Sequence, residues 1–322
     1  MGLLSGSASV ARFQVFDRPR EPDFDALAFE PIPPGSERRE SAGFVPMEPE
    51  APYRIGDDLF AFRLRFDRIR PDPTAVAERA DALARAELGG SGLATLPSAR
   101  RKELKALAAD EIARATPPRT AFVEGVLEGD TVYLGTTARA RLGAAALLLR
   151  QLGVHVRPAT PWAGTDTSAL EPPWLRLAEP GASVLGCRFL AALIEEGEVM
   201  AEPVDGAARL ATPDLRVALA GAVHVELFRL LEAGAELVAA RLLTEQGRFR
   251  FEAPTFRVAS LALDVAASGG WIERLDARLE PIRALFELLD ARYAALAARF
   301  AESARQDAAA GDETLSPVAP RA

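Results

Sequence analysis

The sequence predicts an α+β chain with mainly antiparallel sheets, an inserted helical hairpin and a long C-terminal helix. Three observations carry this. Residues 59–71, LFAFRLRFDRIRP, alternate as a half-buried strand does, with Phe60, Phe62, Leu64 and Phe66 on one face and Ala61, Arg63, Arg65 and Asp67 on the other. Two runs at helical spacing, 74–86 and 98–115, flank a Gly-rich break at 89–92 and lie between strand-like segments. Near the C terminus Leu275, Leu279, Ile282, Phe286, Leu289, Tyr293, Leu296 and Phe300 recur alternately four and three apart, a heptad seam.

Taken in order, residues 7–16 alternate around Phe13 and Val15 as a first strand, and 23–29 form a short helix with Phe24, Leu27 and Ala28 on one side. A polar, proline-rich connection covers 31–52, interrupted by Gly43-Phe44-Val45-Pro46. Pro71-Asp72-Pro73 ends the arginine strand. Thr74 is the expected N-cap of the first hairpin helix, and Ser98 precedes the second, whose apolar positions are Leu104, Leu107, Ala108 and Ile112. Pro117-Pro118 stops that helix. Strands over 121–127 and 131–135 pair around Glu128-Gly129-Asp130. A helix over 136–151 carries Arg139 and Arg141 near its start, and 154–158 adds a short strand.

The second half opens with a helix over 187–195. A further helix runs from Thr212 to about 219, with Pro213 suited to its first position. Strands follow over 223–230 and 236–244, then a hairpin over 242–251 turning at Gln246-Gly247, and a strand over 256–265. Pro281 marks a restart or kink in the last helix. Its seam is expected to pack on the chain's own sheet, with a subunit interface as the runner-up.

A length of 322 residues suits about two domains. The expected division is a central portion (1–73 and 119–160), an inserted helical tip (74–118), a connection (161–180), a base portion (181–306) and a disordered tail (307–322). With 49% hydrophobic and 26% charged residues the composition is that of a soluble globular protein. The opening MGLLSGSASVARF lacks a basic region before a long apolar run, and Gly6 stands where a myristoylation motif wants Ser or Thr. The strongest apolar run, 144–149, is far too short to span a bilayer, so a cytoplasmic protein without a membrane partner is expected.

Little in the sequence supports enzyme chemistry. The single Cys187 excludes an internal disulfide framework and any multi-cysteine zinc site. His155 and His224 are the only imidazoles and lie far apart. No P-loop, Rossmann fingerprint, nucleophile elbow or His-Glu-x-x-His motif appears. Adjacent acids such as Asp57-Asp58 and Glu195-Glu196 are more often solvated charges than metal ligands. No catalytic residue, metal or cofactor is expected.

Charge is polarised along the chain. The net charge is −8, which argues mildly against a nucleic-acid partner. Yet Arg63, Arg65, Arg68 and Arg70 face only Asp67 within 59–70, whereas 195–240 holds nine acids against Arg209, Arg216 and Arg229. The second hairpin helix opens on Arg100, Arg101, Lys102 and Lys105, offset by Glu103. Basic side chains at a helix start oppose the macrodipole slightly, a small cost compatible with a phosphate-facing role.

The order of features resembles the bacterial recombination-associated protein RdgC family. The match begins at ALAFEPIPPGSERRESAGFVPM and runs through the arginine strand, the charged helical hairpin, Pro118-Arg119, the strand at 132–135 and the basic helix at 139–152. It continues through LGCRFLAALIEEGE and the final helix, so it covers nearly the whole chain. The resemblance implies central, tip and base portions assembled as a ring-shaped homodimer that encloses duplex DNA non-specifically. It further implies nucleoid association and modulation of homologous recombination, with a RecA-type recombinase as a further partner. The implied chemistry is phosphate neutralisation without base readout. Its candidate residues are Arg63, Arg65, Arg68, Arg70, Arg119, Arg139 and Arg141, with Arg100, Arg101, Lys102 and Lys105 on the tip. Where the family carries lysines this chain reads AEPVDGAA at 201–208 and Ala222 after Gly221. That departure supports the alternative, a protein-interaction scaffold of the same fold with weakened or lost DNA binding.

Overall fold

The N-terminal alternation forms β1 (Ala8–Asp17), and Asp23 caps a single 3-10 turn at Phe24–Leu27 by accepting from the Ala26 amide at 3.2 Å. The structure is a computed structural model that describes residues 2–91, 94–197, 199–245, 247–263, 265 and 269–313, with the side chains of 91 and 300–313 excepted. Next come β2 (Glu40–Val45), β3 (Arg54–Gly56), β4 (Leu59–Arg68), α1 (Pro73–Ser91) and α2 (Ser98–Ala115). They lead into β5 (Arg119–Glu128), β6 (Thr131–Leu134), α3 (Arg139–Gln151) and β7 (His155–Pro158). The later part holds α4 (Val184–Glu195), β8 (Met200–Ala201), β9 (Gly206–Ala211), β10 (Arg216–Gly221) and α5 (His224–Glu232). It ends in β11 (Glu236–Thr244), β12 (Gly247–Glu252), β13 (Arg257–Leu261) and α6 (Trp271–Glu313). The α+β class is as expected.

The chain divides into two units. The first comprises Met1–Phe16, Asp130–Gly143 and His155–Ala322. Its strands follow the order β10-β9-β11-β12-β13-β1-β6, with β7 beside β1 and β8 beside β11. Along α6 the seam residues Leu275, Leu279, Ile282, Phe286, Leu289 and Leu296 are buried and Tyr293 half-buried. Phe286 meets Tyr133 of β6 at 6.4 Å between ring centroids. On β1, Arg12 lies over the Phe286 ring and donates to both carboxylate oxygens of Asp290 at 2.7 and 2.8 Å. The heptad seam is therefore spent on the unit's own sheet. The helix runs unbroken through Pro281 and continues to Glu313. The Phe300 side chain lies outside the described residues, as does 314–322 of the expected tail.

The second unit comprises Asp17–Gly129 and Ala144–Val154. Here β4 pairs antiparallel with β5 and β2, and β3 also pairs with β4. Under one face Phe24 stacks on Tyr53 and Phe62 with centroids 4.8 and 5.3 Å apart, and Phe44 meets Phe62 edge-on at 5.4 Å. Burying each such ring stabilises by about 1.5–3 kcal/mol. Gly125 stands opposite Phe62 in the β4–β5 register, and a Cβ there would lie 2.3 Å from the Phe62 ring. The close approach requires glycine.

Several expectations give way to the structure. The stretch from Thr212 is a turn between β9 and β10, not a helix: the Thr212 amide donates to the Leu215 carbonyl and its hydroxyl accepts from the Leu215 amide. Thr-Pro-Asp suits a turn as well as a helix start, and a paired strand decided between them. Residues 223–230 form α5 rather than a strand. Leu227 is the buried residue of α5 and Val223, at its N-cap one turn earlier, is buried too, whereas Val225 is 83% exposed. β2 runs through the supposed connection. Asp72, not Thr74, caps α1 by accepting from the Thr74 amide at 3.1 Å. The helix also absorbs Gly89 and Gly90, where a cost of about 1 kcal/mol per glycine falls on a turn that is ending anyway.

Candidate nucleic-acid interface

The arginine strand β4 brings Arg63 and Arg65 onto one face of the second unit's sheet, as its alternation requires, yet that face is already occupied. Asp67 is 2% exposed. Arg65 donates to it twice, Nε to Oδ1 at 3.0 Å and Nη2 to Oδ2 at 2.9 Å, and the Thr120 hydroxyl of β5 donates to Oδ1 at 2.8 Å. These bonds, Arg65's foremost, hold the Asp67 carboxyl below its ordinary value against the opposing effect of burial. The Arg65 guanidinium lies 4.3 Å from the Phe29 ring centroid, because the chain at Ala28 and Phe29 crosses this face. Gly43 permits that crossing: a Cβ there would be 2.5 Å from the Phe29 Cα. The Ser41 hydroxyl donates to the Glu30 carbonyl in the same place.

Arg63 donates Nε to the Pro46 carbonyl at 3.2 Å and rests on Phe122 at 5.3 Å. Across the β4–β5 ladder it stands opposite Glu124. On this face Arg65 is thus paired with Asp67 and Arg63 shares the ladder with Glu124, so its guanidiniums are matched in number by carboxylates. Arg68 and Arg119 are cross-strand partners at the end of the ladder, and Arg68 pairs with Glu40 of β2 at 2.7 Å. Arg70 and Arg119 are exposed, with no ion-pair partner among the described residues.

The tip differs. Arg100 is held by Glu87 of α1 at 2.8 Å and by Glu103 at 2.7 Å, which together raise its guanidinium above its ordinary value. Arg101, Lys102 and Lys105 are exposed on the first turns of α2, with no ion-pair partner among the described residues. In the other unit, Arg139 donates to the Ala178 carbonyl at 2.9 Å and Arg141 is exposed at the start of α3. Glu40 and Glu87 are the neighbours that sequence reasoning did not weigh, whereas Asp67 and Glu103 entered it only as charge offsets. Asp67 and Glu103 stood two and three residues from their partners. Glu40 and Glu87 required knowing which strands and helices pair.

His155 packs against Phe16 with centroids 5.8 Å apart, and His224 is the first residue of α5. Cys187 is fully buried beside Val184, Leu175 and Ala211, and burial, reinforced by Glu236, pushes its thiol up to about 12. Among the described residues no three His, Cys, Asp or Glu side chains are grouped to hold a metal ion, and no helix is long and apolar enough to cross a membrane. No protein-family model matches the chain, and no curated protein matches its sequence.

Proposed function

We propose that the chain is a non-enzymatic, sequence-nonspecific binder of duplex DNA whose phosphate contacts are made by the tip rather than by the arginine strand. The supporting observation is the set of three cations, Arg101, Lys102 and Lys105, that have no ion-pair partner among the described residues and lie on consecutive turns of one exposed helix start. A ring-shaped homodimer, nucleoid association, a RecA-type recombinase partner and a role in modulating recombination follow from the resemblance to the RdgC family and belong to the same reading.

Three phosphate contacts set the expected strength. The logarithmic salt slope should be about −2.7 per chain, so affinity falls roughly fortyfold between 50 and 200 mM salt. Fluorescence anisotropy of a labelled duplex, titrated at several salt concentrations, measures this. Absence of binding at low salt would refute the reading, as would affinity that ignores salt.

A second reading, a protein-interaction scaffold, has its own support in the acidic segment. Val204, Leu215 and Val225 are 74%, 64% and 83% exposed there. A dimer by light scattering that ignores duplex DNA would favour it.

A further inference from the structure

Five guanidinium groups of the first unit gather around two carboxylates. The β9–β11 and β11–β12 registers place Arg209 and Glu252 both opposite Ala239. Glu252 lies 3.1 Å from Arg250 and only within 3.8 Å of Arg209. Arg257, nearly buried, takes Glu179 at 2.8 Å. Arg139 and Arg176 complete the rim: Arg139 donates to the Ala178 carbonyl, and Arg176 is exposed with no ion-pair partner among the described residues. Arg139, Arg176, Arg209, Glu179 and Glu252 border a pocket of about 220 Å³, with Arg250 and Arg257 outside its lining as the acids' partners.

The two acids are matched by Arg250 and Arg257, so Arg139, Arg176 and Arg209 remain as an excess of three positive charges on a concave surface. Burial and the neighbouring Arg250 pull the Arg209 guanidinium below its ordinary value, only partly offset by Glu252, so Arg209 lacks a full counter-charge. Each guanidinium presents a rigid fork of donors suited to oxyanions. The volume is below the roughly 300–1,000 Å³ of sites for drug-sized ligands, and suits one oxyanion group. Three forks match a tetrahedral dianion better than a single carboxylate.

We propose that this pocket binds a phosphate-class oxyanion, held by Arg139, Arg176 and Arg209. The site is independent of DNA binding by the tip. Its occupant is free phosphate or the phosphate of a small monoester.

Isothermal titration calorimetry of the full chain with inorganic phosphate and with glycerol 3-phosphate, at matched ionic strength, separates these sources, with acetate as the comparison anion. Binding of either phosphate probe, with acetate much weaker, supports the site and names its source. Arg176→Gln, at an exposed position with no ion-pair partner among the described residues, should weaken binding about tenfold or more. Arg209→Lys keeps the charge but loses the fork and should also weaken it. Arg229→Gln, an exposed change on α5, should leave it unaltered. The proposal is overturned if neither phosphate probe binds, if acetate binds equally, or if Arg176→Gln binds as the parent does.

Discussion

Replacing Arg65 with alanine is expected to destabilise the fold by about 2–3 kcal/mol. Removing one partner of a buried ion pair typically costs about 3–5 kcal/mol, and the partly exposed Arg65 side chain reduces that through solvent screening. The cost arises at Asp67, a nearly buried carboxylate that would keep, among the described residues, the Thr120 hydroxyl alone. Chemical denaturation reads it as a lower midpoint at unchanged slope. Arg65→Met with Asp67→Leu should recover most of the loss, because the stranded charge goes with its partner. A loss below about 0.5 kcal/mol for Arg65→Ala would show that the pair does not hold the strand.

The same pair sets an acid limit. The folded-state value of Asp67 is depressed, so its contribution is complete above the unfolded carboxylate value of about 3.9 and disappears as pH falls through the lower folded value. Asp67→Asn should flatten that part of the stability profile and leave the neutral-pH slope alone. A DNA-binding defect in an Arg63→Ala, Arg65→Ala double variant would accordingly report lost structure rather than lost phosphate contacts.

Gly43→Ala is expected to cost about 2–3 kcal/mol, at the upper end for a single added methyl in a packed site. The new Cβ would stand 2.5 Å from the Phe29 Cα and 2.7 Å from its nitrogen, and backbone cannot swing aside as a side chain can. The strain falls on the hydrogen bond from the Phe29 amide to the Phe44 carbonyl, 2.9 Å, and on the Phe29 ring beneath Arg65. Thermal unfolding measures the loss. Unchanged stability would mean that the crossing segment does not rest on this face.

What was legible followed from period. The alternation of β4 and the heptads of α6 each repeat over many residues, so one misread position changes nothing, and both elements lie where the pattern puts them. The eight residues from Val223 and the few from Thr212 are too short for either period to prevail, and neighbouring strands decided them. Alternation placed Arg63, Arg65 and Asp67 on one face but is silent on depth. That Asp67 is buried depends on Thr120, on Gly43 and on the chain crossing at Phe29. The pocket arginines were invisible for a related reason: Arg139, Arg176 and Arg209 are spread along the sequence, and strand register and the connecting segment bring them together.

The proposed function divides the labour among cations: β4 arginines hold the sheet, and tip cations would hold DNA. Anisotropy titration of labelled duplex against the parent chain and an Arg101→Ala, Lys102→Ala, Lys105→Ala variant tests it most directly. All three residues are exposed and have no ion-pair partner among the described residues, so the variant should unfold as the parent does while its salt slope falls from about −2.7 towards zero. A variant that binds duplex with the parent's affinity and slope would contradict the account.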